Sequence, residues 1–114
     1  MPWNLDSDKP IFSQIVERIE SDIVSGKYAP GDKLPTVRDL AVEAAVNPNT
    51  MQKAYGELEK IGLVYSKRTS GRFVTEDKTL IEKTRKDLAK KSAAQFLLRM
   101  NELGISKEDA IKLL

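Results

Sequence analysis

Apolar side chains recur every three or four residues in the first part of the chain. Five positions follow this spacing: Phe12, Ile15, Val16, Ile19 and Ile23. Pro10 precedes the run and Gly26 follows it, as is common at the start and the end of a helix. The pattern predicts an amphipathic first helix that packs through one face.

A second helix is predicted after the Pro-Gly turn of residues 28–35. Thr36 is a good N-cap, and Asp39 stands three residues later as a weaker form of the capping box. One apolar face is supplied by Val37, Leu40, Ala41 and Ala44. The prediction is a short helix of about nine residues.

The stretch NPNTMQKAY, residues 47–55, predicts the start of a third helix. Asn47 suits the N-cap, and Pro48 suits the first helical position, where a missing amide hydrogen costs nothing. The inward face is predicted to consist of Met51, Ala54, Tyr55, Leu58 and Ile61, ending at Gly62. The polar side chains left on the other side concentrate at the N-terminal end: Asn49, Thr50, Gln52 and Lys53.

After Gly62 the period changes, and residues 63–66 and 72–75 predict a β-hairpin with a basic tip. A long helix is predicted from Lys78 to just before Gly104, followed by a short closing helix that begins at Ser106. The fold class is therefore α+β, mainly α, with the order three helices, a hairpin and two helices. We expect a division into residues 1–76 and a tail of residues 77–114.

Composition narrows the possible functions. The 114 residues are 40% apolar and 32% charged, which fits one folded domain with a short appendage. There is no cysteine and no histidine, so the residues used most often for nucleophilic, acid-base and metal chemistry are missing. We expect no enzymatic activity, no cofactor and no metal. No signal peptide or membrane-spanning run is visible, so we expect a cytoplasmic protein.

The net charge of +2 is unevenly distributed. Residues 1–35 hold four basic and six acidic side chains, which leaves residues 36–114 with a net charge of +4. Basic side chains cluster at residues 67–72 and 83–91. Such clusters suit a polyanion, although they also occur as solvated faces.

Two helices joined by a turn of three or four residues, followed by a basic hairpin, are the elements of a winged helix-turn-helix domain. The N-terminal end of its second helix can enter the major groove of DNA, where Asn, Gln, Thr and Lys side chains bind base edges or phosphates. Arg38 lies where the preceding helix would cross the DNA backbone. At the hairpin tip, Lys67 and Arg68 can bind phosphate, while Ser70 and Gly71 allow close approach. The alternatives are a solvated helix end and charges that keep an edge strand soluble.

The run from Gly26 to Val74, with PGDKLPTVRDLA and NPNTMQKAYGELEKIGL, resembles the DNA-binding domain of the GntR family of bacterial transcription regulators. The resemblance implies DNA contacts at matching positions: Arg38, Asn47, Asn49, Thr50, Gln52 and Lys53, with Arg68, Ser70 and Gly71 in the wing. Some members carry arginine in the opening turn of the recognition helix, where this chain has Pro48 and Gln52, so no base preference is implied. The full predicted DNA-binding set adds three residues: Thr36, Lys67 and Arg72.

The short tail is similar to that of the YtrA-like subgroup, whose tails serve dimerisation and whose members often repress operons encoding ABC transporters. The predicted dimerisation residues are Leu88, Ala89, Ala93, Phe96, Leu97, Met100, Leu103 and Ile111. Packing of this seam on the chain's own winged helix is the alternative. A tail of this length also leaves too little chain for an enclosed effector pocket.

The leading hypothesis is a homodimeric, sequence-specific DNA-binding repressor that occupies a palindromic operator. The alternative is a winged-helix module that binds protein or RNA through the same surface. An enzyme fits the sequence worst.

Overall fold

The computed structural model describes residues 3–114. The chain forms three helices, α1 (Ile11–Val24), α2 (Val37–Ala44) and α3 (Pro48–Lys60), and then an antiparallel hairpin of β1 (Val64–Lys67) and β2 (Gly71–Val74). Two further helices follow, α4 (Lys78–Glu102) and α5 (Lys107–Lys112). The predicted fold class and the predicted order of elements are confirmed.

The core lies between α1, α2, α3 and the base of the hairpin. Its largest fully buried side chains include Ile15 and Ile19 of α1, Leu40 of α2, and Met51 and Tyr55 of α3. These positions recur at helical spacing, so each helix buries one face. One residue of the predicted inward face differs: Ile61 follows the last residue of α3 and is 40% exposed.

Side-chain caps fix where α2 and α3 begin. The Thr36 hydroxyl accepts a hydrogen bond from the Asp39 backbone amide at 3.0 Å, and the Asn47 side-chain oxygen Oδ1 accepts one from the Asn49 backbone amide at 2.7 Å. Ala45 adopts a left-handed conformation with φ of 59° and ends α2. The helices are therefore joined by a turn of three residues, 45–47, and their relative orientation is defined.

Each strand of the hairpin lies one residue closer to the turn than predicted. Lys67 pairs with Gly71, so the turn contracts to residues 68–70. Thr69 and Gly71 have φ of 65° and 106°, conformations that reverse the chain direction within this short turn. Leu63 remains outside β1 because its amide still binds the Leu58 carbonyl at the end of α3.

A third strand segment joins the hairpin from the connection that precedes α2. Lys33 forms an isolated antiparallel bridge with Phe73. The Leu34 amide donates to the Arg72 carbonyl at 2.8 Å. The inner edge of the wing is thus attached to the start of the helix-turn-helix.

The long helix α4 has two apolar sides that point in different directions. Near its start, Ile81 is buried in the core, and the Arg85 guanidinium donates to the Val24 carbonyl at 3.2 and 2.7 Å. With about 3.6 residues per turn, Ala93 and Met100 lie roughly a third of a turn away from Ile81 and Leu88. The first turns of α4 therefore dock on the domain, while its second half presents a separate apolar side.

The second half of α4 packs against α5 and contacts α1 through the Lys91–Glu17 ion pair. Ala110 of α5 is buried, whereas Leu103 and Ile111 are 53% and 54% exposed. Leu88, Phe96, Leu97 and Met100 are half-buried, and Ala89 and Ala93 are exposed. Among residues 3–114, none of these eight predicted seam residues packs against the core of the domain. In the same part of the chain, no helix is both long enough and apolar enough to cross a membrane.

Candidate nucleic-acid interface

The N-terminal half of α3 presents a polar face opposite its buried one. Asn49, Gln52 and Lys53 are exposed and Thr50 is half-buried, whereas Met51 is fully buried. The buried face fixes the rotation of the helix about its axis, so the polar side chains point away from the core. The positive end of the helix dipole at the first turn of α3 also favours an anion.

Two predicted contact residues are held by interactions within the domain. The Asn47 side chain caps α3 through its carbonyl oxygen, which leaves its amide nitrogen available. The Lys53 amine lies 5.5 Å from the centre of the Phe12 ring of α1. This cation–π contact directs Lys53 toward the side of α3 that faces α1.

A shallow groove runs between the start of α2, the exposed side of α3 and strand β2. Thr36 and Arg38 line it from α2, Gln52 from α3, and Gly71 from the wing. Five predicted residues, including Arg72, therefore share one concave surface. Asn49 and Thr50 lie on the N-terminal turn of α3, outside the groove lining.

Lys33 also lines this groove, and sequence reasoning missed it. It lies in the Pro-Gly connection before α2, where no hydrophobic period marks a strand. A Cβ atom at Gly71 would come within 3.0 Å of the Lys33 Cε, so glycine leaves room for this side chain to lie along the wing. A lysine between two turn prolines was the only signal in the sequence.

The wing tip carries exposed polar and basic side chains on an aromatic base. Tyr65 and Phe73 stack with their ring centres 5.8 Å apart. The Lys67 amine lies 4.8 Å from the centre of the Phe73 ring. Arg68 and Ser70 are exposed at the turn.

Arg72 behaves differently from the other predicted contacts. Its guanidinium forms an ion pair with Glu59 of α3 and lies 5.4 Å from the centre of the Tyr55 ring. The ion pair and hydrogen bond from Arg72 hold the pKa of Glu59 below its ordinary value. Arg72 thus lines the groove while its guanidinium is engaged by two residues of α3.

The free cations of the interface contrast with those of the tail. Within residues 3–114, no carboxylate lies within 4 Å of the charged nitrogens of Lys33, Arg38, Lys53, Lys67 or Arg68. In the basic cluster of α4, by contrast, three cations are ion-paired: Lys83 with Asp87, Arg85 with Glu82, and Lys91 with Glu17. Much of the tail cluster is therefore neutralised, while the five cations around α2, α3 and the wing remain available to an anion.

A three-residue turn between α2 and α3, a polar outer face on α3 and a basic hairpin define a winged helix-turn-helix domain. The family model described as "Bacterial regulatory proteins, gntR family" matches residues 12–74. The chain belongs to the GntR family and is a transcriptional regulator of the helix-turn-helix type.

Several relatives match nearly the whole chain. The uncharacterized HTH-type transcriptional regulator YhcF of Bacillus subtilis is 38% identical over 98% of this chain and 93% of its own length. The HTH-type transcriptional repressor YtrA of the same organism is 35% identical over 90% of this chain and 79% of its own length. The match extends beyond the winged helix into the tail, as expected for the YtrA-like subgroup.

Solved structures of GntR family regulators are also similar to this chain. A GntR family transcriptional regulator from Listeria monocytogenes is 46% identical, covers 96% of both chains and superposes with a TM-score of 0.86. The DNA-binding domain of AraR, solved in complex with operator ORE1, is 36% identical over 66% of this chain and 94% of that chain, with a TM-score of 0.56.

Proposed function

We propose that the protein is a homodimeric repressor that binds a palindromic operator through α3 and the wing. The observation that carries the proposal is the groove between the start of α2, the exposed side of α3 and the wing, which is lined by Lys33, Arg38 and Gln52. The exposed polar turn of α3 and the exposed basic tip of the wing belong to the same elements. The AraR domain, which shares this fold, was solved bound to its operator. DNA is therefore the ligand that the fold and the charge favour together.

The roles follow from position on these elements. Asn49 and Gln52, exposed on the first turns of α3, are placed to read base edges in the major groove, where both side chains suit adenine. Thr50 can contact a thymine methyl group or a phosphate. Arg38 and Lys53, on either side of these residues, bind the DNA backbone and fix the register.

The wing extends the contact along the DNA. Arg68 and Lys67 bind phosphates or the edge of the adjacent groove, while Ser70 and Gly71 let the backbone approach closely. Lys33 joins them from the third strand and adds a cation between α2 and the wing. Thr36 and Asn47 act mainly by fixing the starts of α2 and α3, where the positive ends of the helix dipoles favour a phosphate.

The tail supplies the dimer. Phe96 and Met100, in the second half of α4, do not belong to the core cluster, and Leu103 and Ile111 beyond them are exposed. A second copy of the tail would bury this apolar surface and relate two α3 helices by a two-fold axis. The division at residues 76 and 77 separates the two roles, although Ile81 still anchors the tail on the domain.

Selection of bound duplexes from a random pool, followed by mobility-shift titration, tests this function. The selected site should be palindromic, and Asn49→Ala should relax base preference at one position per half-site by about 1 to 3 kcal/mol. Lys107→Ala, in the tail, is the matched control and should leave the profile unchanged. Recovery of no preferred sequence would refute the proposal, and selective binding of RNA or protein by the same face would support the alternative module.

A further inference from the structure

One carboxylate of the recognition helix holds both strands of the wing. The Glu59 side chain of α3 accepts a hydrogen bond from the Arg72 guanidinium of β2 and another, at 2.9 Å, from the Ser66 hydroxyl of β1. Ser66 and Arg72 are opposite each other in the hairpin register. Glu59 therefore binds the wing at one rung of its ladder, one pair before the Lys67–Gly71 pair at the tip.

Arg72 continues this connection to the other side of the groove. Its guanidinium lies over the ring of Tyr55, whose hydroxyl donates to the Pro35 carbonyl at 2.7 Å. Its backbone carbonyl accepts from the Leu34 amide at 2.8 Å. One arginine thus joins α3, the wing and the connection that leads into α2.

We propose that Glu59 and Arg72 are positioning residues that set the angle between the recognition helix and the wing. The proposal rests on the proposed function, since it concerns how that interface is shaped. A two-stranded hairpin is only marginally stable alone, so its direction depends on what it packs against. A rotation at the Glu59 rung would move Arg68, at the tip, relative to Asn49 on α3.

The state of Arg72 argues against a direct role in binding DNA. Its side chain is 28% exposed and that of Glu59 is 33% exposed, so the pair is partly shielded from water and from salt. Moving Arg72 to a phosphate would leave the Glu59 carboxylate unpaired beside a polyanion. Arg72 is therefore more favourable in its ion pair with Glu59 than at a phosphate, and the cations without carboxylate partners are better suited than Arg72 to bind the phosphates.

Glu59→Gln is the decisive variant because the two roles predict opposite results. The probe is the duplex selected with the wild-type protein. If the pair positions the wing, Glu59→Gln weakens binding about five- to tenfold, in line with loss of a charge-assisted hydrogen bond. If Arg72 binds phosphate directly, removing its competing carboxylate leaves affinity unchanged or raises it, and the proposal is overturned.

Two comparisons separate positioning from a general loss of stability. Glu57→Gln removes the same charge from the same helix, has no wing partner among residues 3–114, and should not weaken binding. In an Arg68→Ala background, where the tip contact is already gone, Glu59→Gln should cost less than about twofold. An equally large loss in both backgrounds would overturn the proposal.

Hydroxyl-radical footprinting provides the readout that a purely structural effect would not produce. In Glu59→Gln, protection should be lost at the flank contacted by the wing and retained at the bases contacted by α3. Uniform loss across the site would contradict wing positioning. Failure of the wild-type protein to select any duplex would instead refute the proposed function, so the two failures are distinguishable.

Discussion

The steepness with which salt weakens DNA binding follows from the cations of the interface. Each protomer presents five without a carboxylate partner among residues 3–114: Lys33, Arg38, Lys53, Lys67 and Arg68. The proposed dimer would present twice as many, and each phosphate neutralised contributes about 0.9 to the slope of log Kobs against log salt. The expected slope is therefore steep, with a limit of about −9.

Single replacements should reduce this slope by a fixed amount. Arg68→Ala removes one cation from each protomer and should make the slope shallower by about 1.8. Lys33→Ala should have the same effect if the third strand takes part in binding. Fluorescence anisotropy with a labelled operator, at salt concentrations between about 50 and 200 mM, measures both slopes within the range where the relation holds.

The control is Lys107→Ala, which removes an exposed cation from α5 and should leave the slope unchanged. A wild-type slope no steeper than about −2 would show that fewer than three cations per dimer meet phosphates, and the assigned surface would be wrong. A slope unaffected by both Arg68→Ala and Lys33→Ala would remove the wing and its third strand from the interface.

Four further outcomes are expected. Asn47→Ala removes the cap of α3 and should lower the free energy of unfolding in urea by about 1 kcal/mol, whereas Asn47→Asp should retain it. Tyr55→Phe leaves the Pro35 carbonyl without its donor and should cost about 1 kcal/mol in the same assay. The hydrogen bond and ion pair with Arg72 lower the pKa of Glu59 on folding. Glu59 therefore contributes to the free energy of unfolding at pH values above its unfolded pKa, and this contribution is lost as the pH falls through its folded pKa. Glu59→Gln should make the free energy of unfolding depend less on pH in acid, and an unchanged pH dependence would contradict this ion pair. Met100→Asp should convert the dimer to monomer in sedimentation equilibrium, and a persistent dimer would move the interface elsewhere.

The helix-turn-helix could be predicted because its signals are local. Thr36 and Asn47 cap helices through hydrogen bonds that span three and two residues. Pro48 marks the first turn of α3, and the helical spacing of apolar residues is clear both before and after it. These interactions depend little on the rest of the chain, so the order and the bounds of α1 to α3 follow from spacing and caps. Ile61 departs from its predicted burial: it keeps helical dihedrals as the C-cap of α3, yet at this end of the buried face 40% of it is exposed.

The tail was harder to interpret because one helix serves two surfaces. Periodicity alone finds the seam through Ala93 and Met100, but it does not show that Ile81, on another side of α4, belongs to the core. The face toward the domain is defined by long-range contacts, such as that of Arg85 with the Val24 carbonyl, which have no counterpart in local spacing.

The pairing of the cations at the interface could not be predicted from the sequence pattern. In sequence, Arg68 and Arg72 are two arginines of one basic wing, and the pattern predicts DNA contacts for both. In the fold, the register of the hairpin places Arg72 beside Glu59, thirteen residues earlier, and leaves Arg68 exposed at the tip. Lys33 reaches the same groove only because its strand pairs with Phe73. Which cations are free to meet a phosphate is thus decided by tertiary pairing: the fold pairs Arg72 with a carboxylate and brings Lys33 into the groove, and the charge of the wing alone indicates neither.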